Sequence, residues 1–351
     1  MEIPIANVYY LLCYAWDKLE ERDLVKIDPT QSTELVDLFA RVLSSGVDHL
    51  LKKGFDRGYM DQSEDTQRIR GRIEFQQTIR RNLLDRVFVH CKFDEMSYDI
   101  LHNRILKTTL GRLIKTHGIN KKTQDFLIEH WRRLGGVREI QLSEQLFGQV
   151  QLHRDKYIYD FLLKVCRLLF ENLIPTEKTG EWRFRAFQQD PKPMAALFEA
   201  FVRNFYKREL SPTFAKVGRE DMIWNLSALE VSFARLLPKM QTDVSITTSV
   251  KKIIFDCKYT DDPFEEPRFE ATRKLKAAHL YQVSAYLDNL IEGPEKKSRQ
   301  AILLYPLAKR PVHLDYGRPT GETISVRTID LSQAWPAIHA DLLNLVSEPA
   351  Q

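Results

Sequence analysis

The chain has 351 residues, of which 43% are hydrophobic and 28% charged, the balance of an ordinary soluble globular protein and enough for two domains. Its formal net charge of +4 and pI near 8.7 permit nucleic-acid binding without demanding it, so a basic groove has to come from local clustering or from a partner. No stretch reaches the roughly 20 apolar residues of a membrane helix. The apolar start from Ile3 to Trp16 lacks the basic flank of a signal peptide. Cys13, Cys91, Cys166 and Cys257 lie far apart, with neither a zinc spacing nor a disulfide framework, and a cytoplasmic protein is expected. A phosphate loop is absent too: Gly317 to Thr323 has the wrong spacing and no lysine, so the chain by itself should bind no nucleoside triphosphate.

Helices are expected over 6–21 and 33–53; in the second, Leu35, Leu38, Phe39, Val42, Leu43, Val47 and Leu50 recur at helical spacing. A polar stretch, 56–67, precedes a turn at Arg70-Gly71-Arg72 that leads into a helix. Residues 87–92 alternate as a strand does. Helices follow over 99–117, 121–134 (ending at Gly135-Gly136) and 155–173. Pro175, Gly180, Pro191 and Pro193 then break the pattern, and the domain boundary is placed there: 1–180 and 181–351. Beyond it come a helix over 194–210, a region with a strand over 214–234, strands over 240–247 and 251–259, and a charged loop over 260–270. A helix over 271–291, strands over 300–305 and 323–330, and a helix over 333–346 complete the chain. The fold class is therefore α/β (α+β): a mostly helical first domain, then a mixed central sheet flanked by helices.

The chemistry concentrates in the second half. If the turn between strands 240–247 and 251–259 centres on Ser249 and Val250, Asp243 lies opposite Asp256, at the spacing of about 4.5–5.5 Å that paired residues have. Two carboxylates that close repel unless a cation neutralises them, and oxygen ligands with room for water suit Mg²⁺. Lys258, two residues after Asp256, projects from the same face. A backbone carbonyl at Cys257 adds a further ligand. This is the layout of a Mg²⁺-dependent nuclease, with Asp243, Asp256 and Lys258 catalytic and Asp243, Asp256 and the Cys257 carbonyl on the metal; the alternative is a strand-end carboxylate and lysine that form a solvated salt bridge. Gln282 and Tyr286 share a helix face beside the apolar stripe Leu280, Val283, Leu287 and Leu290; they are either supporting site residues or boundary residues of an amphipathic helix. Arg268, Arg273, Lys274 and Lys276 either meet DNA phosphates or form a solvated face. At about 100° per residue, Glu199 lies roughly 120° from the centre of the apolar stripe of its helix, which turns it toward solvent.

Several segments together resemble the McrC family, the cleavage subunits of McrBC modification-dependent restriction systems. They are Asn7-Val8-Tyr9-Tyr10 with Tyr14-Ala15-Trp16; Arg70-Gly71-Arg72-Ile73-Glu74-Phe75; Asp99 to Lys107 around Asn103-Arg104; and Leu237 to Asp243 with Ile253 to Tyr259. Leu280-Tyr281-Gln282 with Tyr286-Leu287, and Ala334-Trp335-Pro336 with His339, complete the set. The resemblance implies a PD-(D/E)xK nuclease core in 181–351, with Asp243, Asp256 and Lys258 as its site and Pro238 displaced from the usual proline–aspartate step. It also offers Glu199 as the helix glutamate of some such nucleases. It implies that 1–180 docks on a ring of McrB, an AAA+ GTPase that the subunit stimulates. The implied substrate is double-stranded DNA with modified bases, recognised by the partner, and the implied activity is that of an endodeoxyribonuclease. Two other readings stand beside this one: a non-catalytic activating or bridging subunit with a vestigial site, and a RecB-like exonuclease module.

Overall fold

The structure is a computed structural model. It describes residues 3–20, 34–153, 155–178, 180–185, 187, 190–227, 229–260, 262–265, 273–290, 297–307 and 309–347; Arg268 lies outside them. The chain divides into two compact units, one formed by the described residues of Met1–Arg22 and Ala186–Gln351, the other by those of Asp23–Arg185. The division falls five residues beyond the expected boundary, and it assigns the first helix to the unit that holds the C-terminal half.

That helix, α1 (Ile5–Ala15), is apolar nearly all round and packs on α8 (Pro191–Glu209). Tyr14 stands edge-on to Phe201, and Tyr10 stacks on Trp335 at 4.6 Å. Asn7 is buried and donates from Nδ2 to the carbonyls of Leu331 and Gln333, both at 2.8 Å. The Asn7 and Trp335 motifs thus meet in space from opposite ends of the chain.

The Asp23–Arg185 unit is a helical layer with a polar ribbon. Its helices are α2 (Leu35–Lys53), α4 (Leu101–Ile114), α5 (Lys121–Arg133) and α7 (Tyr157–Asn172), joined by the shorter α3 (Phe75–Arg80) and α6 (Glu144–Gln149). The apolar stripe of α2 is wholly buried against α5 and α7. Asp37 on α2 accepts from Asn120 at 3.0 and 2.7 Å, while Asn120 caps α5 by accepting from the Thr123 N–H. The buried Lys107 ammonium takes the carbonyls of Leu134 and Val137 where α5 ends. The polar stretch, to which the sequence assigned no element, holds strand β1 (Gly58–Thr66), paired along its length with β3 (Val89–Ser97), which also carries the short β2 (Arg72–Ile73). Gly71 is required where β2 begins: its φ is +65°, and a Cβ there would lie 2.5 Å from the Lys92 carbonyl oxygen. Asn103 and Arg104 have structural roles. Asn103 bonds the Asp56 and Tyr98 carbonyls and the Tyr159 hydroxyl, and Arg104 forks onto Asp99 at 2.7 and 2.9 Å. A two-stranded hairpin, β4 (Leu173–Pro175) and β5 (Trp182–Phe184), ends the unit.

The other unit is built on a six-stranded mixed sheet. Its strands in chain order are β6 (Lys216–Gly218), β9 (Val244–Thr247), β10 (Lys251–Cys257), β11 (Ser298–Pro306), β12 (His313–Gly317) and β13 (Thr323–Ile329); a separate pair, β7 (Asp221–Met222) and β8 (Met240–Gln241), precedes β9, with the short α9 (Val231–Ala234) between them. The spatial order is β12-β13-β11-β10-β9-β6. β9 and β10 form an antiparallel hairpin, whereas β10, β11 and β13 run parallel. The crossover from β10 to β11 carries α10 (Ala277–Asp288), which packs Val283, Tyr286 and Leu287 onto Ile254, Ala301 and Leu303. On the opposite face lie α8, with Tyr206 against Phe255 at 5.0 Å, and α11 (Trp335–Ser347), whose Leu342 carbonyl accepts from the Tyr206 hydroxyl. The sheet is thus sandwiched between helices, and its fold class is the one expected. No helix among the described residues is long and apolar enough to cross a membrane.

Asn7→Leu should lower the stability of this unit by about 1–3 kcal/mol, because it strands the buried Leu331 carbonyl; denaturant unfolding followed by tryptophan fluorescence checks the value.

Candidate active site

The region expected as one strand over 240–247 is broken at Thr242 and Asp243. Buried Thr242 donates its N–H to the Glu220 carbonyl, accepts the Glu220 N–H on Oγ1, and lies 3.0 Å from the Ser245 hydroxyl. These bonds turn the chain out of the ladder. The last pair of the hairpin is Val244 opposite Phe255, and continuing that offset sets residue 243 against 256, as a turn at Ser249 and Val250 requires. Asp243 Oδ2 accepts the Cys257 N–H at 2.8 Å, so its carboxylate satisfies a strand-end donor that β9 no longer reaches.

Asp256 is the penultimate residue of β10, between β9 and β11, and is wholly buried. The apolar run Ile253, Ile254 and Phe255 carries it there. Alternation turns Ile254 and Asp256 toward α10, and Phe255 toward Tyr206 of α8. The Lys258 ammonium lies 2.9 Å from Asp256 Oδ2, an ion pair without hydrogen-bond alignment, and neither carboxylate oxygen accepts a hydrogen bond among the described residues. Burial raises the Asp256 carboxyl to about 6; the Lys258 charge opposes this and the neighbouring Asp243 charge adds to it. Asp243 is also raised, by burial first, against the Cys257 N–H and the charge of Lys258.

α10 holds the lysine. Lys258 donates to Gln282 Oε1 at 2.9 Å, Gln282 Nε2 donates to the Tyr286 hydroxyl at 2.8 Å, and that hydroxyl donates to the Gln241 carbonyl at 3.0 Å. Lysine can only donate, which fixes the amide orientation and the direction of the whole relay. Burial lifts the Tyr286 phenol to about 12, so it remains a donor. Gln282 and Tyr286 therefore join the site, as their shared helix face allowed.

Glu199, which periodicity turned toward solvent, is half-buried instead. Burial, then the Asp243 charge, raises its carboxyl, and it is paired with Arg219 at 2.9 Å. It comes to the carboxylates from α8, because the end of that helix's outer face lies against the hairpin. The basic cluster is not gathered at the site in the same way. Arg273 pairs with Asp262 at 2.8 Å, and Lys276, the residue before α10, reaches Thr260 Oγ1 at 3.5 Å. Lys274 is exposed, and its carbonyl accepts the Glu265 N–H. Sequence reasoning missed Arg203 and Arg219, which stand within electrostatic reach of Glu199 and Asp243. Arg203 could have been found, since it follows Glu199 by one helical turn. His279 contacts the Tyr305 hydroxyl at 2.7 Å and is held down to about 4 by burial and by the charges of Lys258 and Lys276, so it is neutral here.

Among the described residues no three His, Cys, Asp or Glu side chains form a finished metal cage. The donor set still fits a hard cation. Asp256 Oδ1 meets no donor among the described residues and Oδ2 faces only the Lys258 ammonium, Asp243 keeps Oδ1 for another partner, and Glu199 is the next carboxylate within electrostatic reach. Such sites complete their coordination with water and a backbone carbonyl, as Mg²⁺ prefers.

The fold defines a mixed α/β protein that gathers Asp243, Asp256 and Lys258 at one end of its central hairpin. Residues 7–306 match the family described as the McrBC 5-methylcytosine restriction system component, and the chain belongs to this family, in its McrC branch. It is 34% identical over 347 residues to a protein of Escherichia coli (strain K12) described as the type IV methyl-directed restriction enzyme EcoKMcrBC, covering 99% of this chain and 98% of that one. Its fold is similar to that in a refined half-complex from the tetradecameric assembly of Thermococcus gammatolerans McrB AAA+ hexamers with bound McrC. That match has a TM-score of 0.61 at 16% identity and covers 98% of this chain and 76% of the other.

Asp256 sets a pH test. Its folded carboxyl titrates near 6 and its unfolded one near 3.9, so the folded state binds the proton more tightly and loses stability as pH rises from about 4 through about 6. Metal-free Asp256→Asn should therefore melt above the wild type at pH 8, with the gain vanishing by about pH 4; thermal melts across that range measure it.

Proposed function

We propose that the chain is the DNA-cleaving subunit of a modification-dependent restriction complex, with a PD-(D/E)xK-type site at Asp243, Asp256 and Lys258. The observation that carries the reading is Asp256: a carboxylate wholly buried at a strand end, whose Oδ1 meets no donor among the described residues and whose Oδ2 has an ammonium at 2.9 Å. Structural carboxylates are buried with donors; this one is poised for a cation. Mg²⁺ held by Asp243, Asp256 and the Cys257 carbonyl would neutralise the phosphate and activate a water. Lys258, held by Gln282 and Asp256, can donate a proton-bearing charge to a phosphate oxygen or orient the attacking water. Gln282 and Tyr286 keep the ammonium aimed, because the relay ends on a backbone carbonyl that cannot move away. Glu199 adds negative charge from α8.

The partner follows from the family and its relatives. The Escherichia coli relative is described as methyl-directed, and the Thermococcus structure holds McrC on McrB AAA+ hexamers. By this reading the chain works on an McrB-like GTPase ring, stimulates its GTP hydrolysis, and leaves recognition of the modified base to it. The Asp23–Arg185 unit would dock on the ring. It exposes Tyr59, Ile69, Phe75, Ile79, Leu84 and Val87 on and beside the β1–β3 ribbon, apolar surface that a partner would cover.

The test is one reaction series with an McrB-like partner, GTP and Mg²⁺ on modified and unmodified DNA. Asp256→Ala and Lys258→Ala should still stimulate GTP hydrolysis and no longer cut; undiminished cutting by Asp256→Ala removes the site. Gln282→Leu should slow cutting about 10-fold at unchanged GTP turnover, the scale of a lost orienting contact. Cutting by the wild type should fall as pH drops below about 6, where a proton competes for Asp256.

A further inference from the structure

The nuclease reading leaves one charged group at the site without a role. Arg203 lies on α8, one turn after Glu199 and on the same helix face. Its guanidinium is half-buried, and Nη1 is sealed from solvent with no hydrogen-bond partner among the described residues. A guanidinium keeps its proton in any protein environment, so this N–H remains a donor without an acceptor. Such a group costs stability and persists where something else supplies the acceptor.

The surroundings say what that acceptor is. Arg219 follows β6 directly and places Nη2 2.9 Å from Glu199 Oε2. The charges of Arg219, Glu199 and Asp243 all act on Arg203, so two guanidinium groups stand together beside the carboxylates. Glu199 gives Oε2 to Arg219, and Asp243 gives Oδ2 to the Cys257 N–H, and neither carboxylate is bonded to Arg203 Nη1. Among the described residues Arg203 Nη1 bonds to no acceptor, and its charge interacts with Glu199 and Asp243, beside which a phosphodiester must lie if Asp243 and Asp256 are to act on it. A phosphate has the planar pair of oxygens that a guanidinium fork matches.

We propose that Arg203, with Arg219 beside it, receives a non-bridging oxygen of the DNA phosphate at the site and so holds the strand against Asp243 and Asp256. The proposal rests on the nuclease reading and adds the residues that seat its substrate. Arg203 touches the phosphate; Arg219, shared with Glu199, positions it and adds charge.

The experiment measures single-turnover cleavage of modified duplex DNA by the chain assembled with its GTPase partner. Wild type, Arg203→Gln, Arg203→Lys, Arg219→Gln and Asp256→Ala are compared, each with its GTP turnover and melting temperature. Arg203→Gln should keep the wild-type GTP turnover, melt no lower than wild type and lose cutting by about 30-fold or more, with a shallower dependence on salt by about one phosphate contact. Arg203→Lys should recover part of the loss, since the charge returns without the fork. Arg219→Gln should lose about 10-fold. Cutting by Arg203→Gln within about 3-fold of wild type, with the wild-type salt slope, overturns the proposal. So does a lysine variant no better than glutamine together with a lowered melting temperature, the pattern of a purely structural residue. Should Arg203→Gln fail to fold, the exposed Arg219 decides: wild-type cutting by Arg219→Gln rejects the phosphate seat. Asp256→Ala separates the two readings, because it must be inactive for the nuclease site to stand whatever Arg203 does.

Discussion

Asp256 sits wholly buried at the end of a central strand, with the Lys258 ammonium at 2.9 Å as its charged neighbour, and the rest of the site is arranged around that desolvated carboxylate. The strand that delivers it is apolar on both faces, because α8 covers one side and α10 the other. Burial that is favourable for Ile254 and Phe255 is unfavourable for the aspartate that follows them, which is why its carboxyl is pushed up to about 6. Asp243, set opposite by the hairpin, adds like charge. The two carboxylates repel each other in a poorly solvated place, and Lys258, at 2.9 Å from Asp256, offsets part of that repulsion.

Both helical layers converge on that strand end. From α10, the relay of Lys258, Gln282, Tyr286 and the Gln241 carbonyl runs in one donor direction and returns to the segment that leads into Asp243. From α8 come Glu199 and Arg203, one turn apart, met by Arg219 from the end of β6. The two sides differ in kind. The α10 side is fully paired and rigid, whereas the α8 side keeps an enclosed donor unused.

Much of the fold was legible because burial on one face leaves a period. α2, α4, α5, α7 and α8 lie within a few residues of their expected spans, and so do β10, β11 and β13. The misses have physical causes. β1 is polar on both faces, since it lies in an exposed ribbon, so neither alternation nor an apolar run marks it. β12 is mostly exposed and shares the cause. The strand expected over 240–247 is interrupted because Thr242 bonds to Glu220, a contact twenty-two residues away that no local window contains. The grouping of α1 with the C-terminal half depends on Asn7 reaching Leu331, which is longer-range still.

The sequence by itself determined the register that sets residue 243 against 256, because hairpin offset is a local rule, and its ordered motifs determined the family. Only the tertiary structure decided that Asp256 is sealed from water and that Gln282 and Tyr286 act on Lys258 rather than merely edging a helix. It also decided that Glu199, Arg203 and Arg219 belong to the same place. Helical periodicity ranks a residue by its own helix's apolar stripe and contains no term for what another element brings to the polar face. Glu199 leaves solvent, and Arg203 becomes an enclosed donor, only because the β9–β10 hairpin and the end of β6 close against α8.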